Sequence, residues 1–264
     1  MIAATANSLV RVLLGPECAV CATPLDQPLG GAVCARCWAA IPRLAAPLCL
    51  CCGDTLSSSR AAGPLCRRCE RRRPHFDLAR SAGRYEGSLR KMIHAFKYGR
   101  RRALAEPLAG RLLEAGAAIL AGADAVVPVP LHPLRTLERG FNQADDLARL
   151  LERPVWRVLR RVRHGPVQAS LPAGRRHSNV RRAYALRPAW IRLAVRPIGS
   201  RPLRNSVVVL IDDVMTTGAT LEACSRVLKE AGVRRVHALT VARSVSARPA
   251  PPPRPLRPST VPHQ

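Results

Sequence analysis

Residues 208–220 (VVLIDDVMTTGAT) carry side chains whose order could hold a phosphorylated sugar. An apolar strand ends in two carboxylates, Asp212 and Asp213, and then enters a Thr/Gly loop that opens a helix. In open parallel sheets, ligands bind just beyond the carboxyl ends of the strands. The loop offers backbone N–H groups and the hydroxyls of Thr216, Thr217 and Thr220 beside the positive end of a helix dipole. Gly218, followed by the small Ala219, lets the backbone approach an anion closely. A carboxylate can accept hydrogen bonds from two adjacent hydroxyls, so Asp212 and Asp213 suit a diol. Phosphate beside a diol describes a ribose 5-phosphate. A lone Thr-Gly pair would be read as a strand end and a helix cap; the complete order favours a ligand.

The cysteines carry a second chemistry. Of the 10 in the chain, all but Cys224 fall between Cys18 and Cys69. They form C-x2-C pairs: Cys18/Cys21, Cys34/Cys37, Cys49/Cys52 and Cys66/Cys69. The flanking residues repeat as well: 16–21 (PECAVC) matches 47–52 (PLCLCC), and 31–37 (GAVCARC) matches 63–69 (GPLCRRC). A small unit has been duplicated. A C-x2-C turn points two thiolates at one centre, and two such turns complete a tetrahedral site. Each unit is too small to bury a core, so a metal would supply its folding energy. Disulfides are the competing reading, disfavoured in a chain without an export signal. Two zinc ions are therefore expected, structural because every ligand position is a protein thiolate. Register with the first unit leaves Cys51 as the spare thiol. Cys224, on a downstream helix, reads as a small core residue.

These groups need elements to position them. Residues 70–76 (ERRRPHF) read as a linker leaving the metal module, with its Arg run a solvated surface. Beyond it the pattern alternates: a strand over 78–85, a helix over 88–98 and an Ala/Leu-rich helix over 104–120 with Pro107 in its first turn. Next come a short strand over 124–130, a helix over about 138–152, a fully apolar strand over 206–211, a helix over 220–231 and a strand over 236–241. A buried strand, a helix and a second strand in that order make a βαβ unit, hence a parallel sheet. The expected organisation is an N-terminal helix or extension (1–15), two metal ribbons (16–70), an α/β domain (76–243) and a disordered Pro/Arg-rich tail (244–264).

With 264 residues and 47% hydrophobic content, the chain can build a real core, although aromatics are only 3%. The net charge of +26 would draw it toward nucleic acid. Only three of the 43 basic residues are lysine, which is also the mark of a coding bias toward arginine. Charge alone reports non-specific attraction. No stretch reaches the ~18–20 apolar residues that cross a bilayer. Membrane insertion is not expected, and without an export signal the expected compartment is the cytoplasm.

Residues 208–220 closely resemble the diphosphoribosyl-binding motif of type I phosphoribosyltransferases. Further segments resemble the ComF family, associated with competence and DNA uptake: 126–133 (VVPVPLHP) with Arg135, 139–144 (RGFNQA), and the series Gln168, Leu171, Arg175, Asn179 and Tyr184. In that series Tyr184 stands where Phe is usual. An N-terminal double zinc ribbon is also that family's pattern. The resemblance implies a type I phosphoribosyltransferase-like parallel sheet flanked by helices, preceded by a small zinc-ribbon domain. It implies that residues 130–135, with Leu131, His132 and Arg135, form a pyrophosphate loop, with Arg139 and Asn142 close by. Gln168, Arg175 and Asn179 would belong to a mobile loop closing over the site. Lys97 matches a family position and reads equally as an exposed helix-end lysine; His132 reads as structural. The implied ligand is phosphoribosyl diphosphate with Mg²⁺. Ribosyl phosphate transfer and non-catalytic binding of single-stranded DNA, alongside DNA-uptake proteins, remain alternative functions. The few aromatics argue against a base-stacking platform. The acceptor would be chosen by a hood built from residues 76–100 and 155–200.

Overall fold

The computed structural model describes residues 2–56, 63–99, 101–162, 183–190 and 203–245. Helix α1 (Ile2–Leu14) leads into the first ribbon, which ends in helix α2 (Ala35–Ala39); the second ribbon ends in helix α3 (Arg67–Arg71). The α/β domain follows: β1 (Leu78–Arg84), α4 (Gly87–Tyr98), α5 (Ala105–Ala121), β2 (Ala125–Pro128), α6 (Pro133–Arg139), α7 (Gln143–Arg149), β3 (Leu159–Arg161), β4 (Tyr184–Leu186), β5 (Val207–Met215), α8 (Ala219–Glu230) and β6 (Arg235–Arg243). Most of the tail and the loop carrying Gln168, Arg175 and Asn179 lie outside the described residues. Among the described residues no helix is long and apolar enough to cross a membrane.

The main sheet has the order β1-β6-β5-β2 and is parallel throughout. β3 and β4 form a separate antiparallel pair. Alternation along the central strands divides the core into two faces. Val209 and Ile211 of β5, with Leu239 and Val241 of β6, share one cluster with Leu89, Met92, Ile93 and Phe96 of α4 and Leu108 and Leu112 of α5. Val208 and Leu210, with Val236 and Ala238, share the other with Leu221, Cys224 and Leu228 of α8. The duplicated ribbons straddle the sheet. Cys18, Leu25, Val33 and Cys37 of the first belong to the α4/α5 side. Cys49, Cys51, Cys52 and Cys69 of the second belong to the α8 side.

Two elements differ from the sequence expectation. The helix expected over 138–152 is two helices, because Gly140 adopts a left-handed φ of 75° and Asn142 starts α7 afresh, its side chain accepting from the Ala144 N–H at 3.1 Å. The apolar positions Phe141, Ala144, Leu147 and Leu151 are buried all the same. β5 also runs past Ile211 to Met215, pairing Asp212 with Thr240 and Met215 with Arg243. Ladder pairing uses the backbone alone, so the change to polar side chains does not end the strand.

α5 lies unusually close to β6. A Cβ at Gly116 would stand 2.4 Å from Cδ2 of Leu239. Gly116→Ala is therefore expected to destabilise the protein by about 1–3 kcal/mol through overpacking, despite alanine's better helix propensity. Urea unfolding measures this, and an unchanged midpoint would contradict the close approach.

Candidate functional site

The two cysteine sets assemble as their spacing requires. In Cys18, Cys21, Cys34 and Cys37, and again in Cys49, Cys52, Cys66 and Cys69, the four sulfurs lie within 4.8 Å of one another. A Zn–S bond of about 2.3 Å implies a tetrahedron edge of about 3.8 Å. Cys21 and Cys34 sulfurs are 3.8 Å apart, and those of Cys52 and Cys66 are 3.6 Å apart. The backbone supports both centres in the same way: the Cys34 N–H donates to Cys18 Sγ at 3.4 Å, and the Cys66 N–H to Cys49 Sγ at 3.3 Å. The donor set fits zinc and leaves no ligand position for substrate, so both centres are structural. Cys51 is buried but stands outside the four-sulfur set.

The second ribbon is bolted to the α/β domain by Arg243, the last residue of β6, whose side chain is 1% exposed. Its Nη1 donates to the Cys52 carbonyl at 2.8 Å and lies 2.9 Å from Met215 Sδ, and its Nε donates to Asp54 Oδ1 at 3.2 Å. Burial disfavours the charged guanidinium, and Asp54 together with Cys52 and Cys66 more than offsets that, so its pKa is raised. Arg243 lies beyond the strand expected over 236–241, and no local pattern in the sequence marks it as buried.

The phosphate loop follows the carboxyl end of β5. Gly218 adopts a left-handed φ of 71° immediately before α8. The Ala219 N–H donates to Thr217 Oγ1 at 3.4 Å. Thr216 and Thr217 are exposed, while Ala219 and Thr220 are half-buried. Strand alternation sends the two carboxylates to opposite faces. Asp213 turns toward α4, where Lys97 Nζ meets its Oδ1 at 2.8 Å with both side chains about 15% exposed or less (15% and 13%). Lys97 is thus a partner of the acid pair rather than a free helix-end lysine. Asp212 turns toward the α8 side, within electrostatic reach of Cys224 and Tyr184. Burial pushes the Asp212 carboxyl up to about 7, and the neighbouring Asp213 charge adds to the rise. The Asp213 N–H, donating to Asp212 Oδ1 at 2.9 Å, and Lys97 act in the opposite direction. Tyr184, the one residue of its series that is described, is buried beside Thr220, and burial raises its phenol pKa.

Leu131 and His132 form the turn between β2 and α6, at the same sheet edge. α6 begins at Pro133, so Arg135 and Arg139 are helical rather than loop residues. They share a cavity of about 270 Å³ with Lys97, Tyr98 and Glu138. Arg139 Nη2 donates to the Tyr98 hydroxyl at 3.3 Å, Nη1 donates to Gln143 Oε1 at 3.1 Å, and the guanidinium lies over the Tyr98 ring. The His132 carbonyl accepts from the Thr136 N–H at 3.0 Å and from its hydroxyl at 3.2 Å. Asn142 donates to the Val129 carbonyl at 3.1 Å, tying the start of α7 to the end of β2. The fold thereby gathers Asp212, Asp213, the threonine loop, Lys97, Arg135 and Arg139 along one edge. Acids suited to hydroxyls sit between a threonine loop at a helix N-terminus and a cationic cavity, both suited to phosphates.

Comparison with known proteins matches both folded units of the chain. Residues 9–71 match the double zinc ribbon domain model, and residues 136–256 match the phosphoribosyl transferase domain model. Competence protein F of Haemophilus influenzae is 30% identical over 205 residues, covering 73% of this chain and 84% of that protein. DNA utilization protein YhgH of Escherichia coli K12 is 29% identical over 238 residues, covering 86% of this chain and 97% of its own. Competence protein ComFC of Bacillus subtilis is 32% identical over 120 residues, covering 45% and 44%. The chain belongs to the ComF family, phosphoribosyltransferase-like proteins with an N-terminal double zinc ribbon.

Proposed function

We propose that this chain binds phosphoribosyl diphosphate together with Mg²⁺ and serves DNA uptake or utilisation. The observation that carries the ligand is the single sheet edge on which Asp212 and Asp213 stand between the threonine loop and the Arg135/Arg139 cavity. In this reading the 5-phosphate lies on residues 216–220, and the ribose lies across the end of β5 with a carboxylate on either side. The diphosphate points toward Lys97, Arg135 and Arg139, whose positive charge would stabilise it as a leaving group. Mg²⁺ would enter with the diphosphate, since this ion is usually held by one or two carboxylates plus substrate phosphates. The biological role is drawn from the names of the relatives, competence and DNA utilisation proteins.

Calorimetric titration with phosphoribosyl diphosphate and Mg²⁺ tests the ligand. Saturable binding is expected, lost when Asp212 and Asp213 are both replaced by Ala. Equal binding by the double variant would remove the acid pair from the site. Product analysis with a panel of bases and single-stranded oligonucleotides then reports ribosyl transfer. The net charge of +26 favours a second reading, direct binding of single-stranded DNA. Its affinity should fall steeply with salt, and should survive removal of residues 244–264 if the folded domains carry it.

A further inference from the structure

We infer that the second zinc ribbon forms part of the anion site, with Arg68 a ligand for the phosphate placed on residues 216–220. This rests on the ribose-phosphate reading above and extends it to a residue outside the α/β domain. Arg68 lies on α3 between two metal ligands, Cys66 and Cys69, so the metal centre fixes the turn that carries it. Its Nη2 comes within 3.6 Å of the point where a Cβ on Gly218 would stand. Arg68, Arg72 and Arg73 line a cleft of about 260 Å³ with Cys52, Cys69 and Ala219, between the ribbon and the first turn of α8.

The electrostatics favour an anion at this place. Gly218 is where α8 begins, and a helix N-terminus carries partial positive charge. A guanidinium held against that end meets charge of its own sign. Arg68 is exposed and its carbonyl accepts from the Arg72 N–H at 3.0 Å, while its guanidinium makes no hydrogen bond or ion pair among the described residues. Glu222, the acid that also lines this cleft, is engaged by His75, accepting from its N–H at 2.7 Å and meeting its Nδ1 at 2.7 Å. An anion between Arg68 and the loop amides would satisfy both. The arrangement is also braced, since Arg243 joins the Cys52 carbonyl of the ribbon to Met215. Met215 Cε in turn would lie only 2.7 Å from a Cβ on Gly218. The ribbon and the loop therefore keep their spacing without a ligand.

The test is calorimetric titration of the full-length, zinc-loaded protein with ribose 5-phosphate. Arg68→Met should weaken binding by about 10- to 100-fold, and Arg68→Lys should lie between it and the unaltered chain. Arg67→Met, its neighbour on the same turn, should bind as the unaltered chain does. All should retain two zinc ions and the same melting temperature. If Arg68→Met binds as tightly as the unaltered chain while Thr217→Val does not, the ribbon has no share in a site that exists. If the unaltered chain does not bind ribose 5-phosphate, the ribose-phosphate reading and the role of Arg68 fall together.

Discussion

Replacing Cys49 or Cys69 with Ser is expected to lower the metal content from two zinc ions per chain to one and the melting temperature by about 10 °C or more. A structural zinc contributes apparent free energies of about 10–16 kcal/mol in isolated fingers, comparable to the whole stability of a domain. The second centre should matter beyond its own fold. Cys49, Cys52 and Cys69 are packed in the same core cluster as Val208, Leu210 and Leu221. Loss of that ribbon would also leave buried Arg243 without the Cys52 carbonyl and Asp54. Breaking a buried charged network of this kind costs about 3–5 kcal/mol. The matching change in the first ribbon, Cys18→Ser, should remove one zinc and loosen the α4/α5 side, where Cys18 is packed. It should leave the phosphate loop in place. Metal analysis and thermal melting of both variants check this. A protein purified with no zinc would reject the metal assignment outright.

Asp212→Asn should stabilise the protein while it weakens ligand binding about 100-fold. The folded carboxyl sits at about 7, chiefly because of burial, against an ordinary value of about 3.9. Between those values the folded state binds a proton that the unfolded state lacks. Stability therefore falls as pH rises through that window, and the deficit is complete above about pH 7. Asparagine carries no such cost. The variant should match the unaltered protein near pH 4 and exceed it at pH 8 by about 1–3 kcal/mol, the full shift being discounted because Asp213 shares it. At pH 8 ribose 5-phosphate affinity should drop about 100-fold, because a carboxylate that hydrogen-bonds ribose hydroxyls is gone. Gain of stability with loss of binding is the signature of a group kept for function. Thermal melts at the two pH values, with calorimetry at the upper one, check both halves. A destabilised variant would mean that Lys97 and the Asp213 N–H outweigh burial.

Much of this protein was legible wherever the chemistry is local. A C-x2-C turn brings two sulfurs together within one turn, so residue order alone specified the eight metal ligands and left Cys51 aside. The same holds for the phosphate loop, where strand, acids, threonines, glycine and helix follow without interruption. Helix periodicity identified the buried faces of α4 and α8, because 3.6-residue spacing is a property of the segment itself. Boundaries were less accessible. A single left-handed glycine divided α6 from α7, and ladder pairing with β6 carried β5 through its acids to Met215.

Tertiary structure alone decided which distant residues meet. The duplicated ribbons are alike in sequence, yet they occupy opposite sides of the sheet. Lys97 on α4 meets Asp213 because alternation in β5 turns that acid toward α4 and its neighbour away. Arg68 reaches Gly218, and Arg243 reaches Cys52, through parallel crossovers that leave no periodic trace in the chain. The physical division is between bonding geometry enclosed within a few residues, which residue order dictates, and packing of preformed elements, which depends on the path of the chain as a whole.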